Sequence, residues 1–282
     1  MIAISLAAAV LASAPTVTSG MIQVKQPALY YEEQGQGAPV VLIHGGNLDC
    51  RMWDDQFELF AKEFRVVRYD VRGYGRSEVP QKPYSDALDL LAVLDQLGIA
   101  KAHLVGLSLG GRISIDFAVQ YPDRVASLVL AGPGLGGFQG PPDDAAGNTF
   151  WDRVEAAQKN PLDAVEMWLR DPLMVPGMEN PALAPRLRQL SLDNKHIWLE
   201  NPILNMPPTP RANARLDVLK MPTLLVLGDR DTPVIKATVA RLESAVAVAR
   251  TVHIPGAGHM VNMEKPEQFN RAVLEFLRQQ AR

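Results

Sequence analysis

Short apolar runs alternate along this chain with stretches whose apolar residues recur every three or four positions. Residues 28–33, 40–43, 65–71, 102–105 and 125–131 read as strands. The uninterrupted run at 40–43 suits a strand buried on both faces. Residues 53–63 and 86–97 carry helical spacing, and Gly98 closes the second stretch. Strands separated by helices predict an α/β fold, a mostly parallel sheet covered on both faces. The pattern pauses over 135–214, where Pro and Gly punctuate short amphipathic pieces around Trp151, Trp168 and Trp198. A strand at 223–228 resumes it, followed by a helix over 234–245, a strand over 249–254 and a helix over 267–279. The expected organisation is therefore a core of 21–134 and 215–282, interrupted by a helical insertion of 135–214.

The sharpest change of rhythm falls at Gly106-Leu-Ser-Leu-Gly110. Before it lies the apolar run 102–105; after it Leu109, Ile113, Phe117 and Tyr121 recur every four residues. A turn that tight strains the central serine and leaves no room for side chains beside it, which is why glycine stands at 106 and 110. The strain lifts the Ser108 hydroxyl above the sheet edge at a helix N-terminus, where free N–H groups favour developing negative charge.

A serine hydroxyl is a poor nucleophile until a histidine, held in one tautomer by a carboxylate, takes its proton. His259 lies in the glycine-rich loop Gly256-Ala-Gly-His-Met260, after the last strand. Gly228-Asp-Arg-Asp231 offers two acids; Asp231 is the expected partner, and Asp229, directly after the strand, the expected organiser of the turn. His103 and His253 fall in strands and His196 in the insertion, so none of the three is assigned chemistry.

Bulk properties remove several alternatives. A net charge of −3 over 282 residues, with the basic residues scattered, gives no reason to expect a nucleic-acid partner. The single cysteine, Cys50, excludes an internal disulfide, and the histidines form no H-x-x-x-H pair. No metal and no cofactor are expected. Residues 2–12 are apolar and precede Ala12-Ser-Ala14, so 1–20 reads as an export signal, giving a periplasmic or secreted protein. The absence of Lys or Arg before that run, and Pro15 after it, count the other way, and Met21 is an alternative start that would leave the protein cytoplasmic. The run is too short to span a bilayer, so no stable membrane insertion is expected.

With Ser108, Asp231 and His259 in that chain order, and His44-Gly-Gly following an early strand, residues 28–280 resemble the α/β-hydrolase superfamily. The stretches Asp70-x-Arg-Gly-x-Gly-x-Ser77, Gly-Leu-Ser-Leu-Gly-Gly111, Gly-Asp-Arg-Asp231 and Gly-His-Met-Val-Asn-Met-Glu264 are similar to its esterase and 3-oxoadipate enol-lactonase-like branch. The resemblance implies hydrolysis of a small ester or lactone through an acyl-serine. It also implies an oxyanion hole from the N–H groups of Gly46 and Leu109, and a cap formed by 135–214. Asn47, Trp151, Trp168, Trp198 and Met260 are the candidate pocket residues. His44 and the Asp70–Ser77 loop are expected to be structural, and Cys50 inert. Carbon–carbon hydrolysis of ring-cleavage products is the alternative activity, although no tryptophan follows His259 as that branch would have it. A ligand receptor of low turnover on the same fold is the other alternative.

Overall fold

A computed structural model describes residues 16–24, 28–141, 149–199 and 204–281. The expected leader run and its Ala12-Ser-Ala14 site lie outside the described residues. Eight strands form one sheet: β1 (Thr18–Ile22), β2 (Leu29–Gln34), β3 (Pro39–Ile43), β4 (Arg65–Tyr69), β5 (Ala102–Leu107), β6 (Val125–Ala131), β7 (Thr223–Gly228) and β8 (Ala249–Ile254). Their spatial order is β1-β2-β4-β3-β5-β6-β7-β8. Pairings β1–β2 and β2–β4 are antiparallel and the rest parallel. All six residues of β5 and of β7 are buried, as strands covered on both faces must be. The covering helices are α1 (Asp54–Phe60), α2 (Asp86–Gln96), α3 (Leu109–Ala118), α8 (Pro233–Ala245) and α10 (Pro266–Gln280). Two apolar clusters, one on each side of the sheet, make the core.

Two elements escape the hydrophobic pattern. β1 begins at Thr18, inside the stretch read as a leader, and pairs Thr18, Ser19 and Gly20 with Glu33, Glu32 and Tyr31. A chain cut after Ala14 keeps this strand whole, whereas one starting at Met21 loses those three pairs. The four-residue helix α9 (Val261–Glu264) directly follows the His259 loop.

The inserted block contains α4 (Phe150–Lys159), α5 (Pro161–Leu169), α6 (Val175–Met178) and α7 (Ala184–Asp193), and among its described residues no sheet strand. It rests on the carboxyl-terminal edge of the sheet. Asn194, just past α7, donates from Nδ2 to Asp49 (2.8 Å) and accepts the Gly75 N–H (2.8 Å). Arg230, in the loop after β7, pairs with Glu179 at 2.5 Å. Among the described residues no helix is long and apolar enough to cross a membrane.

Candidate active site

From β3 the chain moves one way to β4 and later the other way to β5, so the sheet reverses its winding between β3 and β5. Ligands in open α/β sheets bind in the crevice outside the strand ends at such a point. The loops leaving β3 and β5 carry Asn47 and Ser108, the two non-glycine residues with left-handed backbone among the described residues (φ 62° and 53°). Each such residue costs about 1–3 kcal/mol, and persists only where its surroundings enforce it. For Ser108 the enforcement is packing: a methyl group on Gly110 would lie 2.0 Å from the Ile43 carbonyl oxygen, and one on Gly106 2.3 Å from that of Gly110. The serine N–H is also tied to the Ala131 carbonyl (2.9 Å), and its own carbonyl accepts the Gly134 N–H (3.1 Å).

The residues between those two ties lead to the histidine. A methyl group on Gly132 would sit 3.0 Å from His259 Nδ1 and 3.0 Å from Asp231 Oδ2. His259 and Asp231 are both buried, with Nδ1 3.0 Å from Oδ2 and 3.2 Å from Oδ1. Burial pushes the His259 pKa down, but the Asp231 charge and hydrogen bond, with help from Glu264 and Asp171, outweigh it and the net shift is upward. The other ring nitrogen, Nε2, is buried without a hydrogen-bond partner among the described residues. Asp229 accepts the Gly256 N–H at 2.8 Å and so closes the turn instead of reaching the histidine.

His44 organises the opposite wall. Its Nε2 accepts the Val71 N–H (2.8 Å), which puts the ring proton on Nδ1, facing the Gly45 carbonyl at 2.8 Å. Complete burial lowers its pKa and favours the neutral ring. The Gly45–Gly46 peptide is planar, so holding its carbonyl on His44 turns the Gly46 N–H the opposite way. Methyl groups on Gly45 and Gly46 would lie 3.8 Å from Ser108 Cβ and 4.0 Å from Leu109 Cβ, so this peptide runs alongside the Ser108 turn. Leu109 opens α3, where N–H groups lack intrahelical acceptors.

Asp49, Cys50 and Asp70 bring ligand-type atoms within 4.8 Å of one another. Both carboxylates are already engaged by donors: Arg51 and Asn194 on Asp49, and the Cys50 and Arg76 N–H groups on Asp70. Burial drives the Cys50 thiol far up, away from the thiolate a metal would need. The cluster therefore buttresses the loops after β3 and β4.

The candidate pocket residues separate. Trp168 and Trp198 are buried, their rings 6.4 Å apart, in the same apolar cluster as Met260. Trp151 does not join them: it is 60% exposed and its ring meets Phe150 at 5.3 Å. The first turn of α4 points it outward, which the broken helical pattern of the block does not reveal. Glu264 closes a motif visible in the sequence, but its role is not readable there: its carboxylate touches the loop that carries His259.

The alpha/beta hydrolase family model matches residues 40–272. This chain belongs to that family. It is 32% identical over 268 residues to a 2-hydroxy-6-oxononadienedioate/2-hydroxy-6-oxononatrienedioate hydrolase of Burkholderia vietnamiensis, covering 89% of this chain and 91% of the relative. Among solved structures it resembles a thermophilic esterase from Thermogutta terrifontis, with TM-score 0.78 and 28% identity over 94% of this chain and all of the other. It also resembles the enol-lactonase from Burkholderia xenovorans LB400, with TM-score 0.74 and 27% identity over 89% and 96% of the two chains. The α/β-hydrolase fold expected from the motifs is thus the fold observed, and the protein is a hydrolase.

Proposed function

We propose that this hydrolase cleaves a carboxylic ester or lactone through an acyl-serine intermediate. The observation that carries the reading is His259 Nε2, a buried imidazole nitrogen left without a partner among the described residues while Nδ1 is held by Asp231. Leaving such an atom unsatisfied costs about 1–3 kcal/mol, an arrangement suited to receiving a proton during turnover. In this reading Ser108 attacks the substrate carbonyl and gives its proton to His259, and Asp231 stabilises the imidazolium. The N–H groups of Gly46 and Leu109 bind the tetrahedral oxyanion. His259 then protonates the leaving oxygen, and water, deprotonated by the same ring, releases the acid and restores Ser108. The cycle uses no metal or cofactor.

The inserted block acts as a cap, and Trp168, Trp198 and Met260 favour an apolar acyl or leaving group. Trp168→Ala is expected to change the ratio of kcat/KM between short and bulky p-nitrophenyl esters by about 10-fold, near 1.4 kcal/mol. An unchanged ratio in the folded variant would make the ring a packing residue only.

Carbon–carbon hydrolysis is the second reading, favoured by the 32% identity to a dienedioate hydrolase. The deciding experiment combines fluorophosphonate labelling with a panel of p-nitrophenyl esters, lactones and a dienoate ring-cleavage product. Labelling of Ser108 with turnover of esters or lactones is the expected result. Dienoate turnover without ester or lactone hydrolysis would overturn the ester assignment, and labelling without any turnover would point to a receptor.

A further inference from the structure

Glu264, the last residue of α9, is a buried carboxylate that the triad itself does not use. Its Oε2 accepts the Gly258 N–H at 2.7 Å, and its Oε1 accepts the Met260 N–H at 3.0 Å. Those residues stand immediately before and after His259, so one side chain bridges the loop across its tip. The helix bearing this bridge is itself anchored. Asn262 donates from Nδ2 to the Met52 carbonyl (3.0 Å), and its own carbonyl accepts Gln56 Nε2 (3.2 Å). From the other side the inserted block presses down. A methyl group on Gly258 would come 2.5 Å from the Pro176 ring and 3.1 Å from Glu264 Oε1. Only glycine admits both the carboxylate and Pro176 at this point.

The charges around the loop give the carboxylate a second effect. His259 faces Asp231 from the β7 loop, Glu264 from α9 and Asp171 from the inserted block, the last paired with Arg153. Glu264 in turn faces His259 and Asp231. Arg230, which also faces it, is paired with Glu179. Arg230 and Lys265 line, with Glu264, a surface hollow of about 290 Å³. Burial lifts the Glu264 pKa, while its two amide bonds and the His259 charge oppose that rise only in part.

We propose that Glu264 is a positioning residue for the reaction at Ser108: it fixes the His259 loop through both flanking amides and gives the imidazolium a second negative charge. The proposal rests on the triad reading above. Two hydrogen bonds, one on each side of His259, fix the direction in which the loop presents Nε2. The added charge favours the protonated ring at the moment Ser108 loses its proton. A merely structural acid would do the first and not the second.

The test follows the rate of fluorophosphonate labelling against pH in the full-length protein, which needs no knowledge of the natural substrate. Ser108→Ala serves as control, and labelling that persists in it would bring down the triad reading itself. With that control unlabelled, Glu264→Gln is expected to move the acid limb of the labelling rate down by about 0.5 unit or more. The same variant should lower the plateau about 10-fold, because a neutral amide side chain can accept from only one of the two N–H groups and leaves the other facing its own NH2. An unmoved limb overturns the proposal, whether or not the plateau falls. Should Glu264→Gln fail to fold, Glu264→Asp carries the test, keeping the charge but too short to reach both amides. Its plateau should fall about fivefold with the limb shifted by less than about 0.2 unit, and a wild-type plateau would overturn the proposal.

Discussion

Replacing Asp231 by asparagine is expected to lower kcat by about 10⁴-fold, equivalent to about 5.5 kcal/mol of barrier, in a protein that still folds. The carboxylate sits 3.0 Å from His259 Nδ1 and also accepts the Thr232 N–H at 2.7 Å. Asparagine can keep the second bond through its oxygen, so the loop after β7 retains its shape. Its amide then faces the ring with N–H groups and drives the imidazole proton onto Nε2. In that tautomer the ring cannot accept a proton from Ser108. The charge that outweighs burial and raises the His259 pKa is lost as well. Residual activity should therefore show its acid limb at lower pH than the wild type, since the ring stays neutral further down. Asp229→Asn is the matched control: its oxygen can still accept the Gly256 N–H, and a few-fold loss at most is expected. Steady-state kinetics on an ester, with circular dichroism to verify folding, separates the two variants. If Asp229→Asn proved inactive while Asp231→Asn kept most of its kcat, the acid would have to be reassigned two residues upstream.

Local packing is what makes the strained turn at Ser108 legible in the amino-acid sequence. The change from a buried strand to helical spacing across Gly106 and Gly110 marks it, because close packing there admits nothing larger than glycine. The meeting of Asp231 and His259 is foreseeable for a related reason, each standing in a short loop after a strand. β1 is not, because four of its five residues are exposed or half-buried and only Ile22 is buried. Its pairing with β2, and not its own pattern, makes it a strand. α9 is too short to display a period. Long-range contacts are equally silent: Asn194 meets Asp49 across 145 residues of sequence, and nothing near either residue signals the other. The separation of Trp151 from Trp168 and Trp198 depends on which face each broken helix turns to the core, and breaks at Pro and Gly erase that register.

The second large effect is expected at a fully buried side chain. His44→Leu should lower kcat by about 10²-fold, close to the loss seen when an oxyanion donor is removed outright. Leucine fills much of the imidazole volume but offers no N–H to the Gly45 carbonyl and no acceptor to the Val71 N–H. With its carbonyl released, the Gly45–Gly46 peptide can rotate, and the Gly46 N–H no longer keeps one direction. Because a planar peptide moves as a unit, losing the bond on one side disturbs the donor on the other. The same change strands the buried Val71 N–H, costing about 1–3 kcal/mol of stability. Stability and catalysis must therefore be measured separately, by urea denaturation and by kcat on the folded fraction. KM should change much less than kcat, since the oxyanion forms only after the substrate is bound. A folded His44→Leu protein with kcat within about threefold of wild type would show that the Gly46 peptide is held by something other than His44.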